Sequence, residues 1–259
     1  VSNLEHARPQ RRRIDARGAM LIDLLVGLSI GALVLGAAIA AMLVAREAAS
    51  TVSETSLLQQ QTSYALRALG QQIRPAGSLE VQASASAPGR VQFAAVVPGA
   101  DPGMPVVQGK DGAKGASDSL RVMRAAASLI GSQQEDCLGQ KVAPGQRIEA
   151  GFEVDTKESL RCRSGGQVQP LVSGVTAFRL RYRVLQDGQV RDLRASEVDA
   201  AGLWPAVIAV EACLDLHGEE RSSAHDTRYT DCAGQRVGND GRLHLVTRKL
   251  FALRTRTGD

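Results

Sequence analysis

The first residue with chemical consequence is an acid in apolar surroundings. Asp23 is the single charged position in the run from Ala19 to Ala45, AMLIDLLVGLSIGALVLGAAIAAMLVA, five residues after Gly18. A carboxylate in hydrocarbon costs about 2.5–3.5 kcal/mol at the bilayer centre and less near the interface. The sequence therefore predicts a cationic partner for Asp23 in the working state. The second group is the four cysteines Cys137, Cys162, Cys213 and Cys232. An even number of thiols beyond a membrane-length run points to disulfides in an oxidising compartment. Their pairing is open on sequence grounds. Sequential pairing, Cys137 with Cys162 and Cys213 with Cys232, closes loops of about 20–25 residues, each contributing ~3 kcal/mol in the loop-entropy model. Cys213, His217, His225 and Cys232 do not have the spacing of a compact zinc motif.

No reactive constellation accompanies them. His217, His225 and His244 are scattered, and neither G-x-S-x-G nor H-E-x-x-H occurs. Ser222, Ser223, His225 and Asp226 crowd into one polar stretch that reads as a solvated loop. Glu219, Glu220 and Asp226 lack the framework of a calcium loop. The stretch from Gly109 to Gly115, GKDGAKG, lacks the G-K-[ST] ending of a phosphate loop. Neither an enzymatic activity nor a cofactor or metal is expected. Arg179, Arg181 and Arg183 alternate along one segment, as a solvated sheet face or as a docking surface for an acidic partner. Aromatic residues make up only 3% of the chain, which argues against a large aromatic ligand pocket. Of the formal net charge of +4, Arg8, Arg11, Arg12, Arg13 and Arg17 against Glu5 and Asp15 place +3 before Gly18. The basic balance is thus a topology signal and not a nucleic-acid footprint: it keeps the amino-terminal side cytoplasmic and sends the rest to the periplasm.

The elements that must position these groups follow from periodicity. About 20 apolar residues span a bilayer as a helix, so residues 19–45 read as a transmembrane segment. Helical character continues through Arg46 and Glu47 to Arg74 and stops at Pro75 and Gly77. Such a helix would be about 84 Å long. In its second half, residues 46–75, Leu58, Ala65, Leu66, Leu69 and Ile73 form one apolar stripe, with Gln59, Gln60, Arg67, Gln71 and Gln72 largely off it. Residues 76–118 are rich in Ala, Gly, Ser and Pro and read as a flexible loop region, apart from a short strand over Arg90–Phe93. Residues 119–259 read as a β-rich head. Strands are expected over Ser119–Arg124, Arg147–Asp155, Val175–Val184, Val207–Leu216 and Arg242–Arg254. Turns are expected at Asp187-Gly188 and Asn239-Asp240-Gly241. Phe178, Leu180, Tyr182 and Val184 share one face of their strand. The fold class is α+β: a long amino-terminal helix, transmembrane in its first half, packed on a carboxyl-terminal antiparallel sheet with one face buried.

The basic leader, Arg17-Gly18-Ala19-Met20-Leu21-Ile22-Asp23 and the continuous apolar helix resemble the class III signal of type IV prepilins and type II secretion pseudopilins. Ala19 stands where that family usually has Phe, and Asp23 where it usually has Glu. Further along, Ser63–Leu69, Gln72–Gly77, Ser117–Val122, Glu158–Cys162, Leu171–Val175 and Trp204-Pro205 resemble the PilW group of minor pilins. The resemblance implies a pilin-like fold. It also implies removal of residues 1–18 as a cytoplasmic leader, by a prepilin peptidase cutting between Gly18 and Ala19. N-methylation of Ala19 and a role for Asp23 in subunit assembly follow. The implied protein is a single-pass inner-membrane minor pilin with a periplasmic head. It would prime type IV pilus assembly with other minor pilins, the major pilin and the inner-membrane assembly platform, and sit at the fibre tip, where it could carry a tip adhesin. A J-type pseudopilin of type II secretion and a signal-anchored periplasmic binding module or adhesin are the alternatives.

Overall fold

The computed structural model describes residues 19–77, 80–83, 91–94, 105–126, 134–221, 228–238 and 240–253. The leader, including Gly18 and the peptide bond before Ala19, lies outside them, as do Arg90, Ser222, Ser223, His225 and Asp226.

The elements run α1 (Ala19–Ile73), β1 (Glu80–Ala83), β2 (Val91–Ala94), β3 (Val107–Lys110), β4 (Ser119–Ala125), β5 (Gln134–Glu135), β6 (Lys141–Val142), β7 (Arg147–Val154), β8 (Leu160–Ser164), β9 (Gln167–Val172), β10 (Val175–Gln186), β11 (Gln189–Leu193), α2 (Ala195–Ala200), β12 (Val207–Arg221), β13 (Arg228–Thr230), β14 (Arg236–Gly238) and β15 (Arg242–Ala252). The chain divides into two units, one ending at Val52 and the other beginning at Ser53, so the boundary falls inside α1.

In the first unit α1 is long and apolar enough to cross a membrane, and its leucines are exposed throughout, Leu33 at 74%. In the second unit the same helix buries Leu58, Thr62, Ala65, Leu66, Leu69 and Ile73, the three-and-four spacing of one helical face. Full burial starts at Leu58; before it, Glu54 meets the head through a polar contact, its Oε1 accepting from Glu220 N at 3.0 Å. Gln72 corrects the stripe: it is buried on the docked side, where its Oε1 accepts from Arg124 Nε at 3.2 Å. Pro75 ends α1, having no N–H to continue the ladder. Gly77 follows at φ +67°, a backbone shape that suits glycine, and its N–H donates to the Met123 carbonyl at 3.2 Å.

Among the described residues every strand pairing in the head is antiparallel. A four-stranded sheet has the order β11-β10-β12-β15 and a five-stranded sheet the order β3-β4-β7-β8-β9; β1-β2, β5-β6 and β13-β14 are two-stranded ribbons. Among the described residues the expected antiparallel sheet domain is thus built of two sheets and three ribbons. The loop reading of residues 76–118 is corrected as well: β1 pairs with β2, and β3 is an edge strand of the larger sheet. Short strands without clean alternation carry little period-2 signal, so Val107–Lys110 escapes pattern reading. Asp187 and Gly188, both at positive φ, close the β10–β11 hairpin as their residue types predict.

One face of the four-stranded sheet carries Phe178, Leu180, Tyr182 and Val184 from β10 with Val210, Ala212, Leu214 and Leu216 from β12, all buried in the core with Leu58, Leu66 and Leu69 of the helix. Two features join the sheets. The Asp118 carboxylate, at the start of β4, accepts from Leu180 N at 2.8 Å and Gly112 N at 2.9 Å and pairs with Arg179 at 3.3 Å. The Tyr182 ring stacks edge-on against Trp204 at 5.0 Å and points its hydroxyl at Gly109 of β3, where a Cβ would collide with that oxygen. Gly109→Ala is expected to lower unfolding free energy by about 2–3 kcal/mol through overpacking. Tyr182→Phe, which removes the colliding oxygen, should recover part of that loss. A double-mutant cycle by denaturant titration checks the coupling, and strictly additive losses would contradict the contact.

Candidate functional site

The apolar surface of α1 in the first unit is continuous. Leu21, Ile22, Leu24, Leu25, Leu28 and Ile30 are all more than half exposed. Within it Ser29 returns its hydroxyl to the Leu25 carbonyl at 2.8 Å, so its polar atom is satisfied by its own helix. Gly27, Gly31 and Gly36 have nothing within 4 Å of where a Cβ would stand. Three glycines in a helix each cost roughly 1 kcal/mol relative to alanine. No neighbour among the described residues explains them; close approach by a second helix would. Ala19 is the first residue of α1, and Asp23 sits exposed one turn later. Among the described residues Asp23 makes no hydrogen bond or ion pair. The structure thus places the predicted acid on a surface that lacks any internal partner.

The head holds the other candidates. Cys137 lies at disulfide distance from Cys162, with Cα–Cα 6.2 Å, and Cys213 from Cys232, with Cα–Cα 5.7 Å. The first pair ties the β5–β6 ribbon to β8. The second ties the β13–β14 ribbon across β12. With Cys213 and Cys232 bonded to each other, neither sulfur is free for the zinc set considered above, whose His225 is not described.

The second ribbon covers part of the sheet face opposite the helix. Tyr229 donates its hydroxyl to Asp215 Oδ2 at 3.0 Å and stacks on His244 at 4.3 Å, while His244 Nδ1 meets Asp215 Oδ1 at 3.0 Å. Burial, then the Asp215 charge and the hydrogen bond to it, push the Tyr229 phenol far above its ordinary value. His217 meets Glu158 at 2.9 Å on an adjoining strand end. These groups bond one another. Among the described residues no group of three His, Cys, Asp or Glu side chains is arranged to hold a metal.

The arginine ladder is consumed in the same way. Arg179 donates to the Gly115 carbonyl at 2.7 Å and the Ala116 carbonyl at 2.5 Å besides its pair with Asp118. Arg183 pairs with Asp192 at 3.1 Å, and Arg181 lies cross-strand from Glu211. A cavity of about 480 Å³ opens beside them, lined with both signs of charge. Two of the three ladder arginines are thus paired within the head, and the third lies beside an acid. The glycine-rich stretch nearby also has a structural use, since Asp111 accepts from Ala195 N at 3.1 Å and Ser196 N at 3.0 Å, capping α2. Burial raises the Asp111 carboxyl, but the bonds from Ser196 and Ala195 and the Arg194 charge outweigh it and hold it below the usual range. Sequence reading missed this cap because its partners are more than eighty residues away.

No family model matches the chain, and no protein of curated function matches it in sequence. Among solved structures, a type IV-like pilin from Thermus thermophilus is similar at 15% identity and a TM-score of 0.47, over 77% of this chain and 96% of that one.

The two halves of α1 should respond differently to the same truncation. Leu69→Ala, deep in the core, is expected to cost about 3 kcal/mol. Leu33→Ala should change the stability of the detergent-solubilised monomer by less than about 0.5 kcal/mol. Trp204, the single tryptophan, reports head unfolding by fluorescence. Equal losses at both positions would show that the apolar half is packed in the monomer.

Proposed function

We propose that this protein is a minor pilin: a subunit anchored in the inner membrane by residues 19–45, with its head in the periplasm, that a prepilin peptidase processes between Gly18 and Ala19. The observation that carries the reading is Asp23, without a partner among the described residues, on an exposed apolar helix one turn from Ala19. Cutting there frees an amine at Ala19, and methylation keeps its charge. In a bundle of such helices the Asp23 carboxylate of one subunit neutralises the amine of its neighbour. Neither charge is then left bare in a low-dielectric shaft.

The large head, with two cysteine pairs, suits a subunit used in few copies. It would co-assemble with other minor pilins to start the fibre on the assembly platform and remain at the tip. Residues 46–57 join the anchor to the docked segment of the helix.

The test has two arms. Intact mass of the membrane-extracted protein, from cells that make the peptidase, should show loss of residues 1–18, gain of one methyl group and loss of four hydrogens for two disulfides. Retention of the leader in those cells would favour an anchored binding module instead. Asp23→Ala should leave processing unchanged and lower the amount in the sheared fibre fraction by about tenfold or more, because an unpaired amine must then be buried. Normal incorporation of that variant would refute the charge pair.

A further inference from the structure

The four-stranded sheet ends on one side at β15, and among the described residues no strand pairs with that edge. Leu253 N donates to the Ile208 carbonyl at 2.8 Å, and the register of β12 against β15 continues from that pair without a shift to His244. Antiparallel pairs alternate between bonded and non-bonded, so the odd residues of β15 turn their main-chain groups to β12. The even residues Val246, Arg248, Leu250 and Ala252 turn theirs outward. Among the described residues those outward amides and carbonyls have no partner. They present about 20 Å of unpaired ladder.

Alongside this edge, α1 and β15 enclose a groove of about 290 Å³. Its apolar part is Leu66, Gly70 and Phe251. A Cβ at residue 70 would stand 2.8 Å from the Phe251 ring, so glycine keeps the helix close to the strand. Its charged part is Arg67, Arg74 and Lys249, all exposed, with no acid in the lining. Arg74 and Lys249 sit 6.0 and 5.9 Å from the Phe251 ring centre. None of the three makes an ion pair among the described residues, unlike Arg179 and Arg183 of the ladder.

We propose that this corner binds one extended acidic segment of a partner protein, whose main chain continues the sheet at β15 and whose carboxylates meet Arg67, Arg74 and Lys249. Side chains alternate along a strand, and Lys249 lies on the helix side of the sheet while Val246 and Leu250 lie on the other. A fitting segment therefore alternates acidic and apolar residues. A second copy of the same edge is disfavoured, since it would bring these cations together. The inference goes beyond the assembly reading and does not depend on it, because the corner is formed within the head unit alone.

The experiment uses the full chain in nonionic detergent and an acetylated eight-residue peptide of alternating Asp and Val. Saturable binding is expected by fluorescence anisotropy, with slowed hydrogen exchange over Val246–Ala252. A Lys/Val peptide should not bind. N-methylation of the peptide amides on the pairing side should weaken binding at least about tenfold. Arg74→Glu with Lys249→Glu should weaken it about tenfold, and Arg236→Glu on β14 should leave it unchanged. Four results would overturn the proposal: no saturable binding; binding indifferent to N-methylation; slow exchange of these amides in the free protein; or their protection by phosphatidylglycerol vesicles and not by the peptide. The leader's fate does not enter these measurements, so this test and that of the assembly reading fail separately.

Discussion

Apolar surface has to leave water, and along α1 this requirement is met in two ways. From Leu58 onward the helix presents one apolar stripe, and the core of the head receives it. Before Val52 the apolar residues run all round the helix, and among the described residues none is buried. A helix apolar on every side needs an apolar surrounding on every side, and lipid or like helices supply that. The polar stretch from Arg46 to Ser53 separates the two regimes. The head can therefore fold on its own stripe while the first half stays available to another environment.

Within the head the decisive polar group is Asp118. It is buried, yet it accepts two backbone N–H groups and faces Arg179, so its charge is compensated on three sides. A carboxylate satisfied in this way fixes the position of β4 against β10 and hence of one sheet against the other. Tyr182 makes the neighbouring contact by shape: its ring fills the core, and Gly109 provides the space its hydroxyl needs. Both contacts join residues more than sixty positions apart.

That separation explains what could be read in the sequence. The helix ends within a residue of the expected place, because Pro75 and Gly77 act locally. Val175–Gln186, Val207–Arg221 and Arg242–Ala252 were legible as strands because each alternates over enough residues to bury one face. The ribbon Arg228–Thr230 with Arg236–Gly238 was not. It is three residues wide and held by Cys232 and Tyr229 reaching a different element. Strands Leu160–Ser164 and Gln167–Val172 carry Arg161, Arg163 and Pro170, which dilute the alternation, and only Gly165 and Gly166 mark their turn. Asp23 stood out because its cost in an apolar run is large. Gln72 was misread because a buried amide looks like a solvated one until Arg124 is placed beside it. The open edge of β15 had no signature at all, since strand order is a property of the assembled sheet.

On the assembly reading, the position of Asp23 separates the source of strength from the source of order. Residues i and i+4 share a helix face, so a freed amine at Ala19 lies within one turn of the Asp23 carboxylate of its own chain. A pair across two chains therefore replaces an available pair within one, and the net electrostatic gain is small. Burial of the exposed leucines and isoleucines, and close approach at Gly27, Gly31 and Gly36, have to supply the free energy of association. The ion pair contributes register, because sliding one helix past another by a turn, about 5.4 Å, takes the amine of one chain out of reach of its neighbour's carboxylate. Apolar contact is tolerant of such a slide and charge is not. This is why a single acid can govern the geometry of an interface to whose strength it adds little.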